Sequence, residues 1–347
     1  MNYLQVINIE ENEIWDNIVK SFKNYDVNYL NGYAKAFQLH GDGEPMLFYF
    51  NEANTRAMKV VMKRDIALLH PFTNKIPLNT FFDLSTPYGY GGLWVEGENY
   101  DLVNKAFDSY CSEMGFISEF TRFHLFTNHL VTFNGISETH THNIVRNLEP
   151  PLDEMLMDFE HKVRKNIKKA VNAGLEIEID SKGETLDDFL KIYYGTMNRT
   201  NASDDFYFSK AFFEQINKMT DNYVYLHVLN EKNIISSELV LYGTENCYSF
   251  LGGTNQDYFH LRPNDFLKFE IIKWAKSKGL KNFILGGGYG EDDGIYRYKK
   301  SLAPNGVIDF YIGKKIYDQV NYDKLVEIRR QESDFNENAT FFPLYRA

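Results

Sequence analysis

Three stretches of the chain place side chains capable of chemistry close together. From His161 the sequence HKVRKNIKK puts five cations, including Arg164, Lys165 and Lys168, into nine residues with no acid among them. On a helix, Arg164/Lys168 and Lys165/Lys169 are like-charge pairs four apart, which are mildly destabilising by themselves. Such a run either solvates one helix face or seats phosphates. The segment FFDLSTPYGYGGLW (81–94) sets Tyr88 and Tyr90 among glycines and Pro87. It reads as a tight turn or as a rigid platform on which a sugar, base or peptide packs. The third stretch runs from Asp257 to Tyr311 and holds a basic-aromatic cluster, Arg297, Tyr298 and Lys299, shortly after the acidic pair Asp292 and Asp293.

The familiar signatures are missing or fail on spacing. No GxxxxGK[ST] loop is present, so P-loop chemistry is disfavoured. LGGGYG (285–290) fails the dinucleotide pattern, because the position that needs the last glycine is Glu291 or Asp293. His140 and His142 share one face of an expected strand, but no carboxylate or thiol at ligand spacing accompanies them, and no metal is expected. There is no GxSxG elbow. Cys111 falls among apolar neighbours on a helical pattern and reads as core.

The elements that must position these residues are visible as two similar series. NEIWDNIVKSF and YLNGYAKAFQ read as short helices, and LFYF (47–50) and MKVVMKRDIALL (58–69) as strands joined by a turn. A helix over 99–114 stops at Gly115 and FISEF follows as a strand. Later, YVYLHVL, IISSELVLY and CYSFLGG form an antiparallel meander. The helix NDFLKFEIIKWAKSK then stops at Gly279 and the strand NFIL follows. Between the two series, Asp153–Asn172 reads as one long helix, closed by Gly174 and followed by LEIEID. The spacing predicts an N-terminal domain over 1–150, a second over 151–330, and a tail over 331–347 free to pack or fray, with the boundary at Pro150-Pro151.

The 347 residues are long enough for two domains, and an aromatic content of 16% excludes disorder. A net charge of −11 disfavours DNA and anionic membranes as partners. No run of 18 apolar residues offers a transmembrane segment, and the acidic start lacks a secretory pattern. With two cysteines, the chain reads as a reduced, cytoplasmic protein.

The order of elements in the third stretch resembles the FemABX aminoacyltransferases of peptidoglycan bridge synthesis, members of the GNAT N-acyltransferase superfamily. The matching residues are Pro263 before a helix bearing Trp274, the stop at Gly279, the pair Gly286-Gly287, and Gly294-Ile295-Tyr296-Arg297-Tyr298-Lys299. The basic helix and the PYGYGG loop resemble family features too, so the likeness spans about residues 80–320. The resemblance implies an α+β fold of two tandem GNAT-like domains, each a mixed, largely antiparallel sheet flanked by helices. It further implies acyl transfer to an amine of a cell-wall or surface-glycan precursor. Lys299 would face the developing oxyanion, and Asp292 or Asp293 would take the amine proton. Arg164, Lys165 and Lys168 would hold acceptor phosphates, Tyr88 and Tyr90 would pack on the acceptor, and Arg297 and Tyr298 would contact substrate.

The implied acceptor is a nucleotide- or lipid-linked glycan or peptide. The donor stays open between aminoacyl-tRNA and acyl-CoA, with no tightly bound cofactor. The region His260–Phe266 lacks the glycines of the acyl-CoA pyrophosphate loop, and the chain between Lys182 and Tyr223 is too short for the coiled-coil arm that some Fem proteins carry. An inactive binding protein and an acetyl-CoA-dependent N-acetyltransferase are the alternatives.

Overall fold

The computed structural model describes residues 3–288, 290 and 293–347. The chain forms two compact units: residues 1–23, 28–140 and 310–347, and residues 24–27 with 141–309. The sequence division at 150 and 330 therefore differs from the observed one. The chain beyond Asp309 returns to the first unit, because Ile312–Ile316 pairs antiparallel with Ser118–Arg122.

In the first unit, strands Leu4–Asn8, Glu44–Glu52, Thr55–Asp65, Phe82–Ser85 and Phe116–Arg122 lie side by side in that order. Glu44–Glu52 and Thr55–Asp65 form the hairpin expected from the sequence, turned through Ala53 and Asn54, both at positive φ. All neighbours are antiparallel except Phe82–Ser85 beside Phe116–Arg122. The connecting helix Tyr100–Glu113 ends as expected at Gly115, whose φ is +75°. It buries Val103, Phe107 and Cys111 against Phe48 and Phe116. The tail does not fray: Tyr345 is fully buried with Phe72 and Tyr322, and the Arg346 guanidinium reaches the buried Asp83 carboxylate at 2.5 Å.

The second unit repeats the scheme. The end of Ile136–Asn147, then Asn282–Gly286, Asn246–Thr254, Asn233–Tyr242, Tyr223–Asn230 and Glu176–Asp180 make the sheet. The three strands of the expected meander are antiparallel, and the parallel pair is again the strand before and the strand after the connecting helix, here Pro263–Ser277. That parallel pairing ends at Tyr248–Ile284, although the first strand runs on to Thr254, so the two strands part there.

The long helix expected over Asp153–Asn172 is two helices, Leu152–Asp158 and His161–Asn172. Phe159 and Glu160 between them are extended, with ψ near 149° and 146°. The break lets Phe159 bury itself in the core, and it frees the carbonyls of Met157 and Phe159 for the Arg164 guanidinium.

A buried polar chain crosses this unit. Ser237 Oγ lies 2.8 Å from His227 Nδ1, Thr185 Oγ1 lies 2.8 Å from Nε2, and Thr185 donates to Asp180. Burial pulls His227 down to about 4, against the opposing charges of Asp180 and Asp188. The unfolded chain takes up this proton near pH 6.5, while the folded chain resists it down to about 4. Stability held at neutral pH is therefore lost as the pH falls through that window, by roughly 3 kcal/mol from this group. Denaturant midpoints for wild type and His227→Gln at pH 7 and pH 4.5 check this. Equal losses in both proteins would show that another group titrates.

Candidate functional site

The cavity of interest belongs to the second unit. About 680 Å³ of space opens among the basic helix His161–Asn172, the N-terminus of Pro263–Ser277 and the helix Gly294–Leu302. Lys162, Arg262, Arg297 and Lys300 line it, together with Asp265 and Tyr298. The local sequence explains how the walls meet. Pro263 starts its helix in the favoured first position, with no side chain capping the first amides. Gly294–Leu302 is capped by Asp293, whose Oδ1 accepts from the Tyr296 amide at 2.7 Å. A Cβ on Gly288 would fall 2.2 Å from the Asp293 carboxylate. Close packing therefore accounts for a glycine that, read alone, suggests a nucleotide loop.

Two polar groups in the cavity wall have no partner to match their burial. Asp265 is 7% exposed, and one of its oxygens accepts from Asn166 Nδ2 at 2.8 Å. No cation lies within ion-pair distance of it among the described residues. Burial raises its carboxyl, outweighing Asn166, Arg262 and Lys162. The Tyr298 hydroxyl is buried with no hydrogen-bond partner among the described residues, and burial, followed by the charges of Asp265 and Glu238, pushes it well above the usual tyrosine range.

Lys299 is next in sequence but outside the cavity lining. Its Nζ donates to the Gly287 carbonyl at 2.6 Å, just past the strand Asn282–Gly286. Burial, and then the nearby Lys268 ammonium, pull it down to about 8, although Glu238 and Asp293 oppose this. Lys268 itself is held by the Glu238 carboxylate at 2.5 Å and by Ser249 Oγ at 2.5 Å. Ser249 is the first residue after the parallel pairing stops, so this ion pair marks the place where the strands part.

The sequence-nominated residues fall into separate groups. Arg297 and Tyr298 line the cavity. From the basic helix Lys162 does so, while Lys165 and Lys168 are exposed and Arg164 is engaged with backbone carbonyls. Asp292 lies outside the described residues. In the first unit the Tyr88 carbonyl accepts from Tyr33 Oη at 2.6 Å and its ring is exposed; Tyr90 packs edge-on against Phe310 with its hydroxyl raised by burial. His142 meets Asp309 at 3.2 Å, and among the described residues no cluster suited to a metal occurs. Asp265, Arg262, Lys162 and the Glu238–Lys268 pair were missed. The one available signal for Asp265 was its place in the first turn after Pro263.

A family model described as an acetyltransferase (GNAT) domain matches residues 157–300. The crystal structure of FemX is similar over 92% of this chain and 99% of its own, with TM-score 0.68 and 16% identity. Residues 157–300 are a GNAT domain, in a chain of FemX-like fold. The two units are tandem GNAT-like domains, and the chain is an acyltransferase. A conserved protein of unknown function from Bacteroides thetaiotaomicron is also similar, with TM-score 0.59, 8% identity, and 90% and 99% of the two chains covered. L-PGS from Bacillus licheniformis follows with TM-score 0.53, 10% identity, and 86% and 91% covered. At these identities the likeness shows the fold. No curated protein matches the chain in sequence. No helix among the described residues is long and apolar enough to cross a membrane.

GNAT domains in general use an acyl-CoA donor. Its pyrophosphate needs free helix-terminal amides and no competing anion. Here the first turn of Pro263–Ser277 carries the buried Asp265 carboxylate, and no glycine lies between Asn255 and Lys278 to let a phosphate approach the backbone. The residues at this helix terminus do not fit a pyrophosphate.

Proposed function

We propose that the chain transfers an acyl group from an activated donor to an amine of a cell-wall or surface-glycan precursor, in the cytoplasm. The observation that carries this reading is the GNAT-domain cavity bordered by four cations, with the burial-shifted Lys299 beginning at its edge in sequence. The amine nitrogen attacks the donor carbonyl carbon and a C–N bond forms. The bond from that carbon to the donor's leaving oxygen or sulfur breaks, and the amine's proton ends on the leaving group.

Lys299 supplies a cation to the oxyanion, the kind of charge stabilisation that dominates acyl transfer. Asp292 is the nominated proton acceptor. Lys165 and Lys168, joined by Lys162, hold phosphates of a nucleotide-linked glycan or peptide; Arg164 has a smaller share because its guanidinium is already engaged. An acceptor of this class and charged tRNA as a donor are what the FemABX resemblance of the sequence implies.

The test is to incubate the chain with a nucleotide-linked muramyl peptide and either alanyl-tRNA or acetyl-CoA, then weigh the acceptor. A gain of one acyl mass is expected. The nucleotide alone, at 100 times its Kd, adds about 2.7 kcal/mol of stability and raises the melting temperature by several degrees. No mass gain with either donor and no thermal shift would overturn the reading.

A further inference from the structure

The first unit holds an arginine whose surroundings do not match its charge. Arg122 ends the strand Phe116–Arg122, and the glycine-rich segment after Ser85 is laced to that end. The Arg122 amide donates to Thr86 Oγ1 at 3.0 Å, and the Gly91 amide donates to the Arg122 carbonyl at 2.8 Å. Gly89, at φ +94°, sits so close to Tyr33 that a Cβ there would fall 3.0 Å from its hydroxyl. The backbone around the guanidinium is therefore fixed in advance. The side chain is half-buried and lies over the Phe120 ring, 5.0 Å from its centroid.

A guanidinium carries five N–H donors. Among the described residues the Arg122 side chain makes a single long hydrogen bond, 3.5 Å from Nη1 to the Thr86 carbonyl, and meets no carboxylate at ion-pair distance. Burial, and then the charge of nearby Arg64, lower Arg122 from its ordinary value, against Asp42, Tyr88 and Tyr33. Arg64 has a carboxylate of its own, Asp83 at 2.6 Å, but that fully buried group also accepts from Arg346 at 2.5 Å. One anion thus serves two arginines, and the repulsion between Arg64 and Arg122 remains.

A half-buried cation near a second cation is costly until an anion joins them. A neutral amide or hydroxyl could accept from Arg122 but would leave the repulsion in place, and another cation would add to it. A carboxylate or a phosphate does both jobs, because its two oxygens match the guanidinium fork and its charge offsets the pair.

We propose that Arg122 is a receptor in the first unit for an oxyanion, a carboxylate or a phosphate, carried by the acceptor. The link to the acceptor rests on the acyltransfer reading, but the receptor itself is a binding property.

Two matched pairs of probes, titrated into the full chain and followed by NMR, separate the sources of the oxyanion. N-acetyl-L-alanine carries a carboxylate that N-acetyl-L-alaninamide lacks, and dimethyl phosphate carries a charge that dimethyl sulfone lacks. At least one anion is expected to bind at least ~10-fold more tightly than its uncharged partner, as a hydrogen bond to a charged group requires. Preference for the carboxylate assigns the receptor to a peptide end, and preference for the phosphate assigns it to a nucleotide or lipid linkage. Arg122→Gln should bring each anion to within ~2-fold of its partner, the charge being what sets the difference. Arg122→Lys keeps the charge without the fork and should retain part of the preference.

Without ligand, Arg122→Gln should melt no lower than wild type, because a repelled charge is gone. A lower melting temperature would show that Arg122 serves the fold, and overturns the receptor. So does equal binding within both pairs, binding of no probe up to its solubility, or a preference that survives Arg122→Gln. Lys299→Ala, which removes transfer under the reading above, should leave the preference intact, so the two ideas fail separately.

Discussion

Lys299→Ala is expected to lower kcat/KM for acyl transfer by on the order of 10²–10³-fold, the usual cost of losing one group that stabilises a developing oxyanion. The fold should survive, because among the described residues the Lys299 ammonium is held by one backbone carbonyl and not by a carboxylate at ion-pair distance. The sign of its shift adds a second signature. Lys299 sits at about 8 in the folded chain, whereas a free lysine loses its proton near 10.5. The unfolded chain binds the extra proton between those values, so stability rises as pH increases through that window, and below it the buried ammonium is a net cost. Lys299→Met should therefore be inactive and at least as stable as wild type at pH 7. Activity that depends on the ammonium should fall as pH passes about 8. Transfer rates, thermal melts and a pH profile test all three. Full activity in the alanine variant would remove Lys299 from the mechanism.

Lys59→Met should destabilise the first unit by about 3–5 kcal/mol, the range for removing one partner of a buried ion pair. Lys59 is paired with Glu119, and both side chains are under a tenth exposed. Burial alone would lift the Glu119 carboxyl. The Lys59 charge and hydrogen bonds from Lys59, Thr121 and Tyr317 instead hold it below its usual value. With the ammonium gone, the carboxylate is stranded and takes up a proton more readily. The stability gap to wild type should therefore narrow as pH falls from 7 toward ~4. Lys59→Met combined with Glu119→Leu should recover much of the loss, since an apolar pair of similar volume replaces the charges. Urea midpoints across pH measure this; a gap that stays constant with pH would exclude the stranded carboxylate as its cause.

What could be read along the sequence was what depends on near neighbours. Apolar spacing and the stops at Gly115 and Gly279 placed both connecting helices, and turn-length gaps placed the meander. The break at Phe159-Glu160 was hidden because the helical pattern runs through it; burial of Phe159 and the grip of Arg164 on two carbonyls decide it. The same grip changes what Arg164 can offer, which no charge count along the chain reveals. Asp265 looked like an ordinary acid in a first helical turn. Its distinction comes from a cavity built by residues of three helices, a hundred and more positions apart at the extremes. Glu238 and Ser249 likewise sit on paired strands and Lys268 reaches them from the helix Pro263–Ser277, beyond the reach of any local pattern.

The return of residues 310–347 to the first unit affects the order in which the protein is made. Apart from four residues near the start, the second unit is one continuous stretch ending at Asp309. Its sheet has every strand available once Asn282–Gly286 has left the ribosome. The first unit, though begun earlier, lacks the strand beside Phe116–Arg122 until Ile312–Ile316 emerges, and its Asp83, paired with Arg64 at 2.6 Å, gains Arg346 later still. Domains usually complete in the order of synthesis. Here the order is inverted: while residues 310–347 are still inside the ribosome the first unit has an open sheet edge, and chains stalled at that point should protect the C-terminal GNAT domain from protease before the N-terminal one.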